Sequence, residues 1–264
     1  MTTRVGVVGA TGRMGAEVCR AVDATDDLEL VAAVGRSNAG RSLGDLVGIG
    51  ADLVVADGLD ALTDAGVDVA VELTGPASGG ANLVDLLERG IHAVVGTSGI
   101  DPADLERAAV LAARGPARAL VAPNFAIGAV LMMQFAARAS RHLPDVEIIE
   151  LHHDGKRDAP SGTALRTADL VADARGVAHP PVGGDEAHPG ARGTTHRDVP
   201  IHSVRLPGLV AHQVVLLGGV GQTLTIRHDS IDRSSFMPGV LLACRRVASL
   251  DGLAVGLEHV LDLD

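Results

Sequence analysis

Apolar residues recur along this chain in two different rhythms. Over the first half, short and nearly unbroken apolar runs at residues 4–9, 28–34, 67–74, 91–96 and 120–125 alternate with stretches patterned at helical spacing. One such stretch ends near Ala21; others are opened by Pro76 and by Asp101-Pro102, an N-cap followed by an N1 proline. Strands apolar on both faces suit a parallel sheet buried between helices. From residue 127 the rhythm changes. A long helical pattern at 127–142 is followed by β-rich runs at 146–153, 199–206, 209–217 and 222–229, the last two joined by the hairpin signal Gly218-Gly-Val-Gly221. One helix, 161–175, lies among them, with Ala164, Leu165, Ala168, Val171 and Ala172 on its apolar positions. Strand after strand predicts a mixed or antiparallel sheet. Residues 235–248 read as a helix with Pro238 in its first turn, and 253–263 as an apolar terminal strand able to rejoin the first sheet. The fold class is therefore α/β, a doubly wound parallel sheet with an inserted α+β domain, divided at 1–126, 127–234 and 235–264.

Composition narrows the function classes. A net charge of −11 opposes polyanion binding, and the absence of Trp and Tyr, with Phe at 3, removes base-stacking platforms, so no nucleic-acid partner is expected. No apolar run reaches the ~18 residues of a membrane span, and the first residues pass straight into a strand pattern without a signal peptide, so a cytoplasmic protein without a membrane partner is expected. Cys19 and Cys244 lie in helix-like apolar surroundings without CxxC or metal spacing and read as packing residues.

The first strand runs directly into Gly9-Ala-Thr-Gly12-Arg-Met-Gly15 and a helix. This GxxGxxG spacing is a variant of the dinucleotide fingerprint, in which glycines allow a tight turn, backbone approach to a pyrophosphate and close helix packing. At the end of the second strand, where an acidic residue would read the ribose hydroxyls of NAD, stand Gly35 and Arg36; this chemistry favours NADPH, with NADH as a possible second cofactor. Ligands of such sheets bind at the carboxyl ends of strands, which nominates the loops at 9–15, 35–36, 74–76, 96–98 and 122–125.

In the second half, Ile148-Ile-Glu-Leu-His-His-Asp-Gly-Lys156 brings two histidines and a lysine to a strand end, and Pro160-Ser161-Gly162-Thr163 opens the following helix. Ser161 is placed as N-cap, leaving the amides of Gly162 and Thr163 turned outward for a carboxylate or phosphate. Proton-handling groups, a cation and a helix N-terminus suit a small acidic substrate. On a pleated strand His152 and His153 face opposite sides unless the strand ends between them. Residues 177–198, rich in Pro, Gly and His (His179, His188, His196), match no metal-ligand frame; no metal is expected, and the stretch reads as a mobile loop over the active site.

Four segments together resemble the 4-hydroxy-tetrahydrodipicolinate (dihydrodipicolinate) reductase family over nearly the whole length: Gly9-Ala-Thr-Gly-Arg-Met-Gly15, Gly96-Thr-Ser-Gly99, Ala122-Pro-Asn-Phe-Ala-Ile-Gly128 and Glu150-Leu-His-His-Asp-Gly-Lys-Arg-Asp-Ala-Pro-Ser-Gly-Thr163. The segment Arg227-His-Asp-Ser-Ile-Asp-Arg-Ser-Ser-Phe236 looks like the family's exit from its second domain. The resemblance implies a Rossmann domain at both chain ends, a substrate and tetramerisation domain between them, a homotetramer, and reduction of a cyclic imine dicarboxylate by NAD(P)H in lysine biosynthesis through diaminopimelate. It implies His152 as general acid/base, with Lys156 as the other proton-handling residue. His153, Ser161, Gly162 and Thr163 would bind substrate. Gly9, Ala10, Thr11, Gly12, Arg13, Met14, Arg36, Gly96, Thr97, Ser98, Ala122, Pro123, Asn124 and Phe125 would hold the cofactor. Two positions depart from the family pattern: Gly155 stands where another polar residue is usual, and Gly35 replaces the acidic residue. A paralogous reductase of another cyclic imine or dehydro acid shares these features, and a non-catalytic dinucleotide sensor would have no use for the His152–Lys156 cluster.

Overall fold

A computed structural model describes residues 2–263; Met1 and Asp264, the outermost positions of the expected end segments, lie outside the described residues. The chain forms two compact units, Met1–Phe125 with Arg233–Asp264, and Ala126–Asp232.

The first unit runs β1 (Thr3–Val8), α1 (Arg13–Asp23), β2 (Leu28–Val34), α2 (Leu43–Val47), α3 (Asp60–Asp64), β3 (Val69–Glu72), α4 (Pro76–Glu88), β4 (His92–Val95), α5 (Pro102–Arg114) and β5 (Ala119–Val121). The second supplies α6 (Ile127–Ser140), β6 (Asp145–His152), α7 (Gly162–Arg175), β7 (Thr194–His196), β8 (Val199–Arg205), β9 (Ala211–Gly219) and β10 (Gln222–Ser230). Then α8 (Met237–Arg246) and β11 (Leu253–Val255) return to the first unit.

In the first unit all paired strands are parallel, in the order β11-β5-β4-β3-β1-β2. The short apolar strands are buried on both faces, as Val5, Val7, Val69, Val71, Val94 and Leu120 show. Strand order reverses at β1, so the crevice at the carboxyl ends of β1 and β3 is the topological switch point where such sheets bind ligands. The expected terminal strand at 253–263 is corrected: only Leu253–Val255 pairs, with β5, and Gly256 (φ 117°) turns the chain into a short 3-10 helix at Leu257–Val260. That turn packs against α8 and buries Leu257 and Val260, so burial rather than strand pairing uses the apolar run.

The second unit is a mixed sheet, β10-β9-β6-β8-β7, in which only β6 and β8 run parallel. The helices α6 and α7 pack on one face. Along β6 the buried residues Val146, Ile148 and Glu150 alternate with the partly exposed Glu147, Ile149 and Leu151, the period-2 signature of a sheet covered on one side. The hairpin turn is tighter than its glycines suggested: Gly218 and Gly219 pair with Thr223 and Gln222, leaving Val220-Gly221 as the turn, with φ 71° at Gly221. The reading of 177–198 as a loop over the active site is also corrected. It contains β7, and its His179 bonds Asp145 at 2.9 Å while Arg192 pairs with Glu147. Asp145 begins the strand that His152 ends, roughly 23 Å away at a strand's rise per residue. Among the described residues, no helix is long and apolar enough to cross a membrane.

Candidate active site

The glycine loop closes on itself. Gly9 (φ 83°) accepts from Gly12 N at 3.0 Å and donates to Val34 O at 2.8 Å, which binds the loop to the end of β2. A Cβ at Gly15 would overlap the carbonyl of Gly9, so a hydrogen there lets α1 start against the loop. Gly12 is the N-cap of α1, and the first-turn amides of Arg13 and Met14 face outward where a pyrophosphate would rest. Around the loop opens a cleft of about 830 Å³, a volume suited to a cofactor. Its walls include Gly9, Thr11, Gly12, Gly35, Arg36 and Thr74. A dinucleotide fits this backbone cradle.

At the far wall Asn38 donates to Thr11 Oγ1 at 3.0 Å and accepts from Arg41 at 3.0 Å, while Gly35 N bonds Ala56 O at 2.8 Å. That last bond brings Asp57 into the same wall, a carboxylate that no motif announced. At the end of β3 the fully buried Glu72 accepts from Thr97 Oγ1 (2.5 Å), Thr74 N (3.0 Å), Asn82 Nδ2 (3.2 Å) and the Thr74 hydroxyl. This carboxylate therefore ties together the loops after β3 and β4. Of the other expected cofactor residues, Ala10, Thr97, Ala122 and Phe125 are buried, so they shape the loops from beneath; Ser98 and Pro123 are exposed. Phe125 lies against Gly96, where a Cβ would stand 2.8 Å from its ring.

In the second unit the strand does end between the two histidines: His152 closes β6, and His153 begins a turn in which its carbonyl accepts from Lys156 N at 3.1 Å. His153 is thereby released from strand alternation, while His152 keeps the sheet face it shares with Glu150. Nδ1 of His152 lies 2.5 Å from Oε2 of Glu150, which is fully buried. Burial pushes the Glu150 carboxyl upward, but hydrogen bonds from Arg205, Ser203 and His152 together outweigh it and hold the group below its ordinary value. An ionised carboxylate only accepts, so Nδ1 of His152 donates and Nε2 is left to exchange protons. Burial lowers the pKa of His152, aided by Lys156 and Arg205, against the opposing pull of Glu150. Both folded values are depressed, so the stability these groups contribute is present above their ordinary values of 4.5 and 6.5 and is lost as pH falls through the folded ones.

Lys156 Nζ bonds both carboxylate oxygens of Asp158 at 2.8 Å, and that hydrogen bond holds Asp158 below its ordinary value. Ser161 caps α7 as expected, its Oγ accepting from Ala164 N at 3.2 Å, with Gly162 exposed at the first helical position. Gly155 sits beside His153: a Cβ there would be 3.2 Å from that ring's Nδ1. Glu150 was present in the motif without a role and Arg205 was not anticipated; the two come together only across the β6–β8 register, in which His152 pairs with Arg205. Among the described residues no group of three or more His, Cys, Asp and Glu gathers as a metal site. Burial raises both cysteine thiols to about 12, consistent with packing roles.

A dinucleotide cradle on a doubly wound sheet, joined in one chain to a unit bearing an oriented histidine, a lysine and a capped helix end, defines an NAD(P)-dependent oxidoreductase. Its family follows from comparison. The profile described as dihydrodipicolinate reductase, N-terminus, matches residues 3–125, and that described as dihydrodipicolinate reductase, C-terminus, matches residues 128–261. The chain is 52% identical over 265 residues to the 4-hydroxy-tetrahydrodipicolinate reductase of Streptomyces griseus, covering 99% of this chain and 98% of that one. It is also 52% identical over 267 residues to the reductase of the same name from Nocardia farcinica, covering 100% of both. A solved structure of dipicolinate-bound dihydrodipicolinate reductase from Paenisporosarcina sp. TG-14 superposes with a TM-score of 0.90 at 42% identity, covering 99% of this chain and 100% of that one. The chain belongs to the dihydrodipicolinate reductase family.

Proposed function

We propose that this protein reduces 4-hydroxy-tetrahydrodipicolinate, by way of the dihydrodipicolinate it yields on losing water, to tetrahydrodipicolinate in the diaminopimelate route to lysine, adding one hydride and one proton. The observation that carries the residue roles is the hydrogen bond from His152 to the buried Glu150, beside Lys156 and the N-terminus of α7. A dinucleotide bound at the Gly9–Gly15 loop of the first unit would supply a hydride from its nicotinamide. A dicarboxylate needs its charge met as further electron density arrives; Lys156 and the Gly162 and Thr163 amides do this, and His153 adds a donor on the neighbouring turn. His152 delivers a proton from Nε2 to the ring atom that gains electron density, its Nδ1 remaining bonded to Glu150. Purified protein mixed with NADPH and the condensation product of aspartate semialdehyde and pyruvate is expected to oxidise the cofactor rapidly. Dinucleotide binding without oxidation would leave the fold reading standing and move the substrate to another acidic imine.

NADPH is the preferred cofactor in this reading, because Gly35 offers no carboxylate and Arg36 and Ser37 line the same wall. Asp57 in that wall supports a second reading in which NADH is also used. Arg36→Ala is expected to raise the NADPH KM by about 10- to 100-fold, the loss of one charge-assisted contact, and to leave the NADH KM nearly unchanged. Equal changes for both cofactors would remove Arg36 from phosphate recognition. Asp57→Ala is expected to move the ratio further toward NADPH.

A homotetramer assembled through the second unit accords with the sheet face that its helices leave uncovered. Ile149, Leu151, Val204, Val214 and Leu216 share that face by register; the first four are partly exposed and Leu216 is exposed. Burying such a stripe against another copy removes apolar area from water. Leu216→Lys is expected to reduce the mass measured by light scattering to that of a smaller species. A tetramer that persists unchanged would place the interface elsewhere.

A further inference from the structure

We propose that Glu150 and Arg205 are positioning residues for this reaction: a single ion pair on a fully buried carboxylate that aims His152, seats the turn carrying Lys156 and anchors the start of α7. The inference rests on the roles given above to His152 and Lys156, and deepens them.

The geometry of Arg205 carries the argument. Its guanidinium has five N–H donors, and five acceptors surround it. Nη1 donates to Glu150 Oε2 at 2.9 Å and to Val204 O at 2.8 Å. Nη2 donates to Glu150 Oε1 at 2.9 Å and to Asp158 O at 2.5 Å. Nε donates to Lys156 O at 3.3 Å. Two of these acceptors are backbone carbonyls of the turn that carries Lys156, on either side of Arg157, so the fork fixes where that lysine leaves the chain. Glu150 in turn accepts from His152 Nδ1 at Oε2 and from Ser161 N at Oε1, 3.2 Å away. Ser161 is the N-cap whose Oγ holds Ala164 N, so the same carboxylate fixes the end of α7 where the Gly162 and Thr163 amides stand.

The pair also sets charge. Glu150, Lys156 and Arg205 are the charged groups acting on His152. A buried glutamate alone would hold the imidazole as a cation. Arg205 neutralises that glutamate, so His152 keeps the tautomer that Glu150 imposes without being fixed in the charged form, and can release and regain the proton on Nε2. Lysine cannot substitute for Arg205, since three donors on a single nitrogen cannot span the carboxylate and two carbonyls on opposite sides.

The test combines two variants with one measurement on the unaltered protein. Arg205→Lys keeps the charge and loses the fork. It is expected to lower kcat about 10²-fold and to raise the KM of the dicarboxylate, with the dinucleotide Kd unchanged and the pH at which kcat/KM declines in place. Glu150→Gln removes the charge that favours imidazolium and is expected to move that decline to lower pH. Wild-type kinetic constants and pH profiles in both variants would overturn the proposal. Where breaking this pair prevents folding, ¹⁵N NMR of the histidines in the unaltered protein decides: neutral His152 protonated at Nδ1 is expected, and an Nε2–H tautomer would overturn the proposal. Absence of turnover in the unaltered protein would count against the substrate assignment, and the tautomer measurement would still decide the network separately.

Discussion

Lys156→Ala protein is expected to lose about 10²-fold or more in kcat for the cyclic dicarboxylate while binding NADPH as the unaltered protein does. A tenfold rate change corresponds to about 1.4 kcal/mol of barrier, so the ammonium is asked to supply roughly 2.7 kcal/mol, within what one well-placed charge contributes in a partly desolvated site. The side chain of Lys156 is 22% exposed, and its Nζ is already engaged by the Asp158 carboxylate. A substrate carboxylate bound by Lys156, as proposed, would compete with Asp158. In Asp158→Asn that competitor is neutral, and the KM for the dicarboxylate is expected to fall while kcat changes little. His152→Gln carries the complementary expectation: the amide can still donate to Glu150 but has no proton to transfer, so a comparable loss of kcat is expected. Steady-state kinetics with NADPH titrations as control measure all three. Full turnover in Lys156→Ala would remove the lysine from charge stabilisation, and full turnover in His152→Gln would remove the histidine from proton transfer. The pH dependence has a definite sign. An acid whose pKa lies below 6.5 in the free protein is mostly deprotonated at neutrality, so kcat/KM is expected to fall as pH rises through the neutral range.

The parts of this site that could be read from the sequence are those whose partners lie close along the chain. The glycine loop is one: Gly9, Gly12 and Gly15 meet one another within a single strand-turn-helix, so their spacing carries the geometry. The Ser161 cap is another, since Ala164 lies three residues on. Arg205 was not legible because its ion pair with Glu150, 55 residues away in sequence, depends on β8 lying parallel beside β6, which no local pattern specifies. Asp57 enters the cofactor cleft for the same kind of reason, through an isolated bridge between Val34 and Ala56. The loop after α7 misled in the opposite direction. Its Pro, Gly and His content describes an irregular segment but not which end of a strand it covers, and the His179–Asp145 contact decides that. At the C-terminus an apolar run is equally consistent with pairing and with packing, and a glycine at positive φ selected packing after Val255.

Gly15→Ala is expected to weaken dinucleotide binding by about 10²-fold, and to do so with the second unit's chemistry untouched. The added methyl would meet the carbonyl oxygen and carbon of Gly9 and the Cα of Ala10, all of them backbone, so no side chain can swing aside to admit it. The loop or the helix must move instead, and forcing extra volume into a packed site costs about 1–3 kcal/mol. The larger effect falls on binding. The amides of Arg13 and Met14 serve a pyrophosphate only if α1 begins where it does, and a shift of about 1 Å in a positioning element can cost about 10²-fold. Gly12→Ala differs in degree, because its Cβ would meet only the Gly9 carbonyl oxygen, at 3.2 Å, and a smaller loss is expected. Gly50→Ala, with nothing within 4 Å of the new methyl, serves as control and should bind normally. Fluorescence titration with NADPH, read beside thermal unfolding, separates the two contributions. A lowered Tm with unchanged affinity would mean that the loop relaxes without disturbing the cradle, and that the third glycine serves packing rather than the approach of the pyrophosphate.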